Sequence, residues 1–155
     1  MEFIKKILGK KSNDDLTMVS LLSPKQVKKK GNLPSKAICG KFENGIKSPE
    51  YFIENKDFVE FMHSTICNSV SSIVSLNEAA RQQNEGFLYI IDFRTADGIM
   101  GDVPPEDIIG AFSVKNGMLV ENSYQKNDQH KIYTKNGLVK LPPEIENLII
   151  EELLK

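Results

Sequence analysis

The run Phe87 to Phe93, FLYIIDF, constrains the fold most, and it sits inside a turn-rich stretch from Gly86 to Gly137. Its apolar and aromatic residues are nearly continuous instead of alternating. That pattern predicts a central strand covered on both faces. Asp92 interrupts the run near its C-terminal end. An isolated buried charge is costly, so this carboxylate is expected either at the solvated strand end or paired, with Arg94 as the local partner. The segment Thr95 to Pro105, with two glycines and paired prolines, reads as a shaped excursion that returns the chain to the sheet.

Residues downstream of this excursion supply an antiparallel partner. Ala111 to Val114 is a short strand with Phe112 and Val114 on one side. Asn116-Gly117 then tolerates the positive φ of a two-residue hairpin turn, which pairs Met118 to Val120 with that strand. Lys131 to Thr134 adds a further short strand before the Asn136-Gly137 turn. Leu141-Pro142-Pro143-Glu144 opens a last helix, with Ile145, Leu148, Ile149 and Leu153 on its apolar side.

The first half is helix-rich. Val59, Met62, Ile66, Val70, Ile73 and Val74 advance by three and four within residues 56–83, flanked by Phe58 and Phe61, and so face a core. Ser48-Pro49-Glu50 resembles a capped entry to a short helix from Pro49 to Ile53. The serines at 69, 71, 72 and 75 predict a break near Val74–Asn77, with Asn77 as a second cap. Gly86 is placed to end the helix in the left-handed conformation. His63 reads as a surface side chain and Cys67 as a buried thiol, as does Cys39. Upstream, Met1 to Lys11 reads as a short amphipathic helix, suited to a membrane surface or to docking on the body. Leu16 to Leu22 is a strand or a buried helical turn. Ser23-Pro24 starts a turn through Val27, Lys28 to Lys30 form a solvated loop, and Ala37 to Phe42 is a strand ending at Glu43-Asn44-Gly45.

The order predicts an α+β fold in a single domain, a mostly antiparallel sheet packed against helices. The 155 residues suffice for one substantial core. Charge is uneven: residues 1–47 hold eleven Lys against four acidic side chains, and residues 48–155 hold nine Lys or Arg against seventeen. The expected organisation is therefore a basic segment, 1–47, docking on an α+β core, 48–155. The acidic core suggests a cationic partner. The basic segment leaves a nucleic-acid contact open, although aromatic residues in register with the lysines are missing. No apolar run reaches the roughly 18 residues that cross a bilayer, and the N-terminus lacks a secretory signal pattern. Neither a membrane association nor an extracytoplasmic location is expected.

Chemistry is sparsely signalled. Asp97, Asp102, Glu106 and Asp107 crowd the middle of the chain without the alternating oxygen-ligand spacing of a calcium loop. Asp92 and Glu106 offer a carboxylate pair for acid-base hydrolysis, as any acidic protein can. Phosphate-loop, dinucleotide and nucleophile-elbow motifs are missing, and two histidines outside any cysteine cluster leave zinc without ligands. The residues thus point to no enzyme, no metal and no cofactor. An adaptor domain and a nucleic-acid module remain as readings.

One resemblance goes further. An Asp-x-Arg strand end at Asp92 and Arg94, the Pro-Pro-Glu-Asp-Ile-Ile-Gly segment from Pro104 to Gly110, a hairpin glycine at Gly117, and Ser123, Tyr124, Gln125, Asn127 and His130 resemble bacterial immunity proteins of the contact-dependent growth inhibition and polymorphic toxin type. The likeness covers residues 89–137, about one third of the chain. It implies a cytoplasmic protein that binds and blocks the C-terminal domain of a cognate toxin, a nuclease in many such systems. Asp97, Asp102, Glu106 and Asp107 are then the expected contact carboxylates, with Tyr124 as aromatic anchor.

Overall fold

The structure, a computed structural model, describes residues 7–8, 17–95 and 102–155. It is α+β, with four helices and three antiparallel sheets among the described residues. Contacts within the chain group it into two compact units. The first is Met1–Met62 with Ile132–Leu138 and Ile149–Lys155; the second is His63–Lys131 with Val139–Leu148. The expected division at residue 47 is not the one the contacts draw.

In the first unit, β1 (Ile7–Leu8), β2 (Thr17–Val19), β3 (Gly40–Phe42) and β4 (Phe52–Glu54) form a four-stranded sheet in chain order. Ile7 and Leu8, expected in a helix, pair with Met18 and Thr17. Residues 1–6 and 9–11 of the expected helix lie outside the described residues. Helix α1 (Pro24–Lys30) carries the capping box that Ser23 and Gln26 make reciprocally. It takes Lys28, Lys29 and Lys30 as its last turn, where cations suit the helix dipole, so the expected loop is helical. Asn44 and Gly45 turn the chain at positive φ as expected. Pro49–Tyr51 is a single 3-10 turn, and the chain is already extended at Phe52. Phe42 and Phe52 meet Tyr133 of β9 (Tyr133–Thr134), which pairs with β10 (Gly137–Leu138). Gly40 is obligatory here, because an added Cβ would overlap the Ile53 carbonyl and the Phe52 ring.

Helix α2 (Lys56–Ser69) buries Phe58, Met62 and Ile66, the spacing read from sequence. The break comes earlier than expected, through a 3-10 turn at Val70–Ser72. Asn77 sits inside α3 (Val74–Gln83), donating its amide back to the Val70 and Ile73 carbonyls. Val74 is 62% exposed, so it leaves the apolar stripe. Cys39 is buried, but Cys67 is exposed. One residue past Ile66, it lies about 100° round the helix from the buried stripe. Asn84, not Gly86, caps α3 at φ 70.

The second unit is built on β5 (Gly86–Ile91), β6 (Ile108–Lys115), β7 (Met118–Leu119) and β8 (Gln125–Lys126). The central strand is β6, which pairs with β5 on one side and with β7 and β8 on the other. The expected central strand, β5, is thus an edge strand. Its inward residue Ile90 is buried, whereas Phe87 and Tyr89 are 56% and 55% exposed. A continuous apolar run does not distinguish a strand covered on both faces from one whose outer face happens to be aromatic. The hairpin is as read: Asn116 and Gly117 both take positive φ, and Val114 pairs with Leu119. Helix α4 (Pro143–Leu154) buries Ile145, Ile149 and Leu153, with Leu148 half-buried. No helix among the described residues is long and apolar enough to cross a membrane.

Candidate functional site: a buried charge knot and an open sheet face

The charged residues of the motif converge in the second unit, at the C-terminal end of β5. Asp92 and Asp107 are fully buried, and Arg94 and His130 nearly so. Strand β5 delivers Asp92 and Arg94, while the 3-10 turn Pro105–Asp107 delivers Asp107. The Arg94 Nε lies 2.8 Å from Asp107 Oδ1 and 3.3 Å from Asp92 Oδ2. His130 Nε2 donates to Asp92 Oδ2 at 3.0 Å. The other oxygen of Asp92 accepts the backbone N–H groups of Arg94 (3.1 Å) and Lys140 (2.9 Å). Asp107 Oδ2 accepts the Thr95 hydroxyl proton, and the guanidinium also donates to the carbonyls of Glu106 and Lys131.

This arrangement explains how charge survives inside an apolar body: each carboxylate has an opposite charge and further donors. It also ties together four stretches of the chain, at Asp92–Thr95, Glu106–Asp107, His130–Lys131 and Lys140. Asn127 fastens the loop after β8 to the Pro-Pro turn, donating its side-chain amide to the Pro105 and Ile108 carbonyls at 2.7 and 2.8 Å. With their oxygens occupied by one another's partners, Asp92 and Asp107 are structural groups. The expected pairing of Asp92 with Arg94 is present, and two further partners, His130 and Asp107, join it.

The expected contact residues therefore separate. Asp107 is inside the knot and presents nothing to a partner, because burial there is balanced by Arg94. Asp102 is exposed and Glu106 is half-buried. Asp97 lies outside the described residues. Tyr124 is internal in character: its ring packs on Phe112 with centroids 4.9 Å apart, and its hydroxyl lies 2.6 Å from His63 Nδ1. Gly110 makes room for it, since a Cβ there would come within 2.6 Å of the Tyr124 hydroxyl. Burial lowers the pKa of His63 to about 4, with the charges of His130 and Lys126 adding to the effect, and burial raises that of Tyr124. The imidazole is neutral at pH 7, so the phenol donates and Nδ1 accepts. His63, read as a surface residue, is a half-buried latch.

The surface that sequence reasoning missed is the outer face of the β5–β6–β7 sheet. Directly opposed residues share a face, so Phe87 and Tyr89 stand beside Ser113 and Ala111, with Met118 opposite Lys115 on the same side. Met118 is 70% exposed. Every residue from Phe87 to Ile91 is apolar or aromatic, so no alternation in the sequence marks which of them face outward. The opposite face, with Ile90, Phe112 and Val114, is the buried one.

Among the described residues, two of the grooves lie in the first unit. One, of about 510 Å³, holds Lys30 and Lys155, but Lys30 Nζ donates to the Lys155 carbonyl at 2.5 Å and Lys155 pairs with Glu152. The other, of about 470 Å³, runs over Met18, Lys41 and Ile53 on the open side of the four-stranded sheet. Among the described residues no group of His, Cys, Asp and Glu is arranged to hold a metal ion. Comparison with protein-family models, with curated proteins and with solved structures finds no match to this chain.

Proposed function

We propose that this protein is a non-catalytic binding protein of the immunity type, which occupies a cognate toxin domain in the cytoplasm and blocks it. The observation that carries the binding reading is the exposed aromatic face of the β5–β6–β7 sheet, with Phe87 and Tyr89 each more than half exposed. Aromatic side chains on a rigid sheet supply buried contact area at little entropic cost, which suits a protein interface. Charge adds to this reading. The second unit holds eleven carboxylates against six Lys or Arg, a net charge of −5 with His neutral. Such a surface speeds encounter with a cationic domain. The toxin as partner is supported by the motif resemblance alone, and the knot gives that motif a job in shaping the sheet instead of touching the partner.

The test is rescue and capture. Co-expression is expected to protect cells from the toxin domain encoded beside this gene, and the two proteins to co-purify; neither happening removes the proposal. Reversing Asp102 and Glu106 together is expected to weaken the complex chiefly by slowing association, because surface charge acts mainly on encounter. Nucleic-acid binding has one observation in its favour, the exposed Lys25, Lys28 and Lys29 on α1. It predicts affinity for duplex or single strands that falls steeply with salt.

A further inference from the structure

We infer that the outer edge of β5 is a strand-addition site at Tyr89 for an extended, basic segment of a partner protein. The direction of the backbone groups is set by β6. The Ser113 N–H donates to Ser123 Oγ at 3.0 Å, its carbonyl accepts the Val120 N–H at 2.9 Å, and the Ile109 carbonyl accepts the Asn127 N–H at 3.0 Å. Those residues of β6 turn toward β7 and β8, so the alternate ones, Gly110, Phe112 and Val114, bond to β5. Phe87 and Tyr89, opposite Ser113 and Ala111, therefore point their N–H and C=O groups away from the sheet.

That edge is closed at both ends and open in the middle. Gln83 Nε2 donates to the Phe87 carbonyl at 2.8 Å, and the Phe93 N–H donates to the Lys140 carbonyl at 2.7 Å. Between them, among the described residues, nothing meets the N–H or C=O of Tyr89. Exposed edges are commonly protected by charge, proline or a covering element. Gly86 to Ile91 contains no charged residue and no proline. The open interval spans only about three residues of an added strand, roughly 10 Å, comparable to the two- and three-residue pairings used elsewhere in this chain.

Charge chooses the occupant. Glu85 and Glu121 are exposed near the ends of β5 and β7, and the unit as a whole carries −5. A second copy of the chain would bring two such units together, whereas a segment flanked by Lys or Arg is attracted. Side chains of the added strand that fall on the outer face lie beside Phe87 and Tyr89, so aliphatic or aromatic residues fit there. This inference rests on the binding-protein reading for the kind of partner, but not on that partner being a toxin.

The probe is a short acetylated and amidated peptide, Lys-Lys-Thr-Val-Thr-Val-Thr-Lys-Lys, titrated into the full chain by calorimetry. Amide hydrogen exchange at Tyr89 is read alongside. Saturable binding is expected, with exchange at Tyr89 slowed about ten-fold or more. N-methylation of alternate peptide residues, which keeps charge and side chains, is expected to weaken binding about ten-fold, the loss of one to two net hydrogen bonds. Replacing the four lysines by glutamate is expected to weaken it at least as much. No saturable binding up to about 1 mM peptide, the weak end of measurable affinity, overturns the inference. So does binding that leaves Tyr89 exchange unchanged, or an N-methylated peptide that binds as well. Self-association that protects Tyr89 without peptide replaces the basic segment by a second copy. Peptide binding without rescue removes the toxin reading alone, and rescue without protection of Tyr89 removes this edge alone.

Discussion

Replacing Arg94 by methionine tests whether the knot is what holds the β5 end to the Pro-Pro turn. Methionine fills much of the same space and leaves two carboxylates behind. Asp92 keeps His130 and two backbone donors, but Asp107, fully buried, keeps among the described residues only the Thr95 hydroxyl. Breaking a buried pair by removing one partner costs about 3–5 kcal/mol, because the remaining charge is uncompensated. The Glu106 carbonyl still accepts the Lys131 N–H at 3.1 Å, so it adds little to that cost. The expected loss is about 4 kcal/mol, a large share of the roughly 5–15 kcal/mol that holds a typical domain folded. Urea unfolding followed by circular dichroism at pH 7 measures it. Adding Asp107→Asn to the Arg94→Met chain removes the stranded charge and is expected to recover about 1–2 kcal/mol, the cost of burying a charge in place of an amide. A loss below about 1 kcal/mol, the range of a solvated surface pair, or no recovery in the double variant, refutes the assignment of the knot as a buried, mutually compensated cluster.

His63 titrates at about 4 in the folded chain against 6.5 when unfolded, so the unfolded chain binds more protons between those values. Its contribution is therefore complete above pH 6.5 and is lost as pH falls toward 4. The full shift corresponds to about 3 kcal/mol, reduced to about 1–1.5 kcal/mol by solvent screening at this half-buried site. Comparing urea stability at pH 7.5 and 4.5 for the native chain and His63→Asn isolates the effect, and an identical pH dependence in both would falsify the latch. Gly110→Ala is expected to cost about 1–3 kcal/mol by overpacking against Tyr124 and the Gln125 carbonyl. Tyr124→Leu in the same background should return only part of it, and a neutral Gly110→Ala sinks the packing argument. Glu146 has its pKa raised, mainly by burial, and among the described residues its Oε1 has no hydrogen-bond partner. Glu146→Gln is expected to stabilise by about 0.5–1 kcal/mol at pH 7, with the gain shrinking on acidification as the native carboxyl protonates; a loss of stability at pH 7 counts against it.

Local signals carried much of the fold. The Asn116-Gly117 hairpin, the buried stripe of Phe58, Met62 and Ile66, and the α4 face of Ile145, Ile149 and Leu153 were readable because each depends on spacing within one element. So was the demand that Asp92 find a partner, since the cost of an unpaired buried charge does not depend on context. Other features depend on what lies opposite in space. The apolar character of Phe87 to Phe93 specified a strand, and only its neighbours decided that it was an edge with Phe87 and Tyr89 outward. The identity of Asp107 specified a carboxylate, and only Arg94 and Thr95, brought to it by the folded loop, turned an expected contact residue into an internal one. Likewise Tyr124 became a packing residue through Gly110 and His63, which lie 14 and 61 positions away. Periodicity, turn chemistry and the price of burial are properties of the chain itself; exposure and charge pairing belong to the space around a residue, and only tertiary structure fills that space.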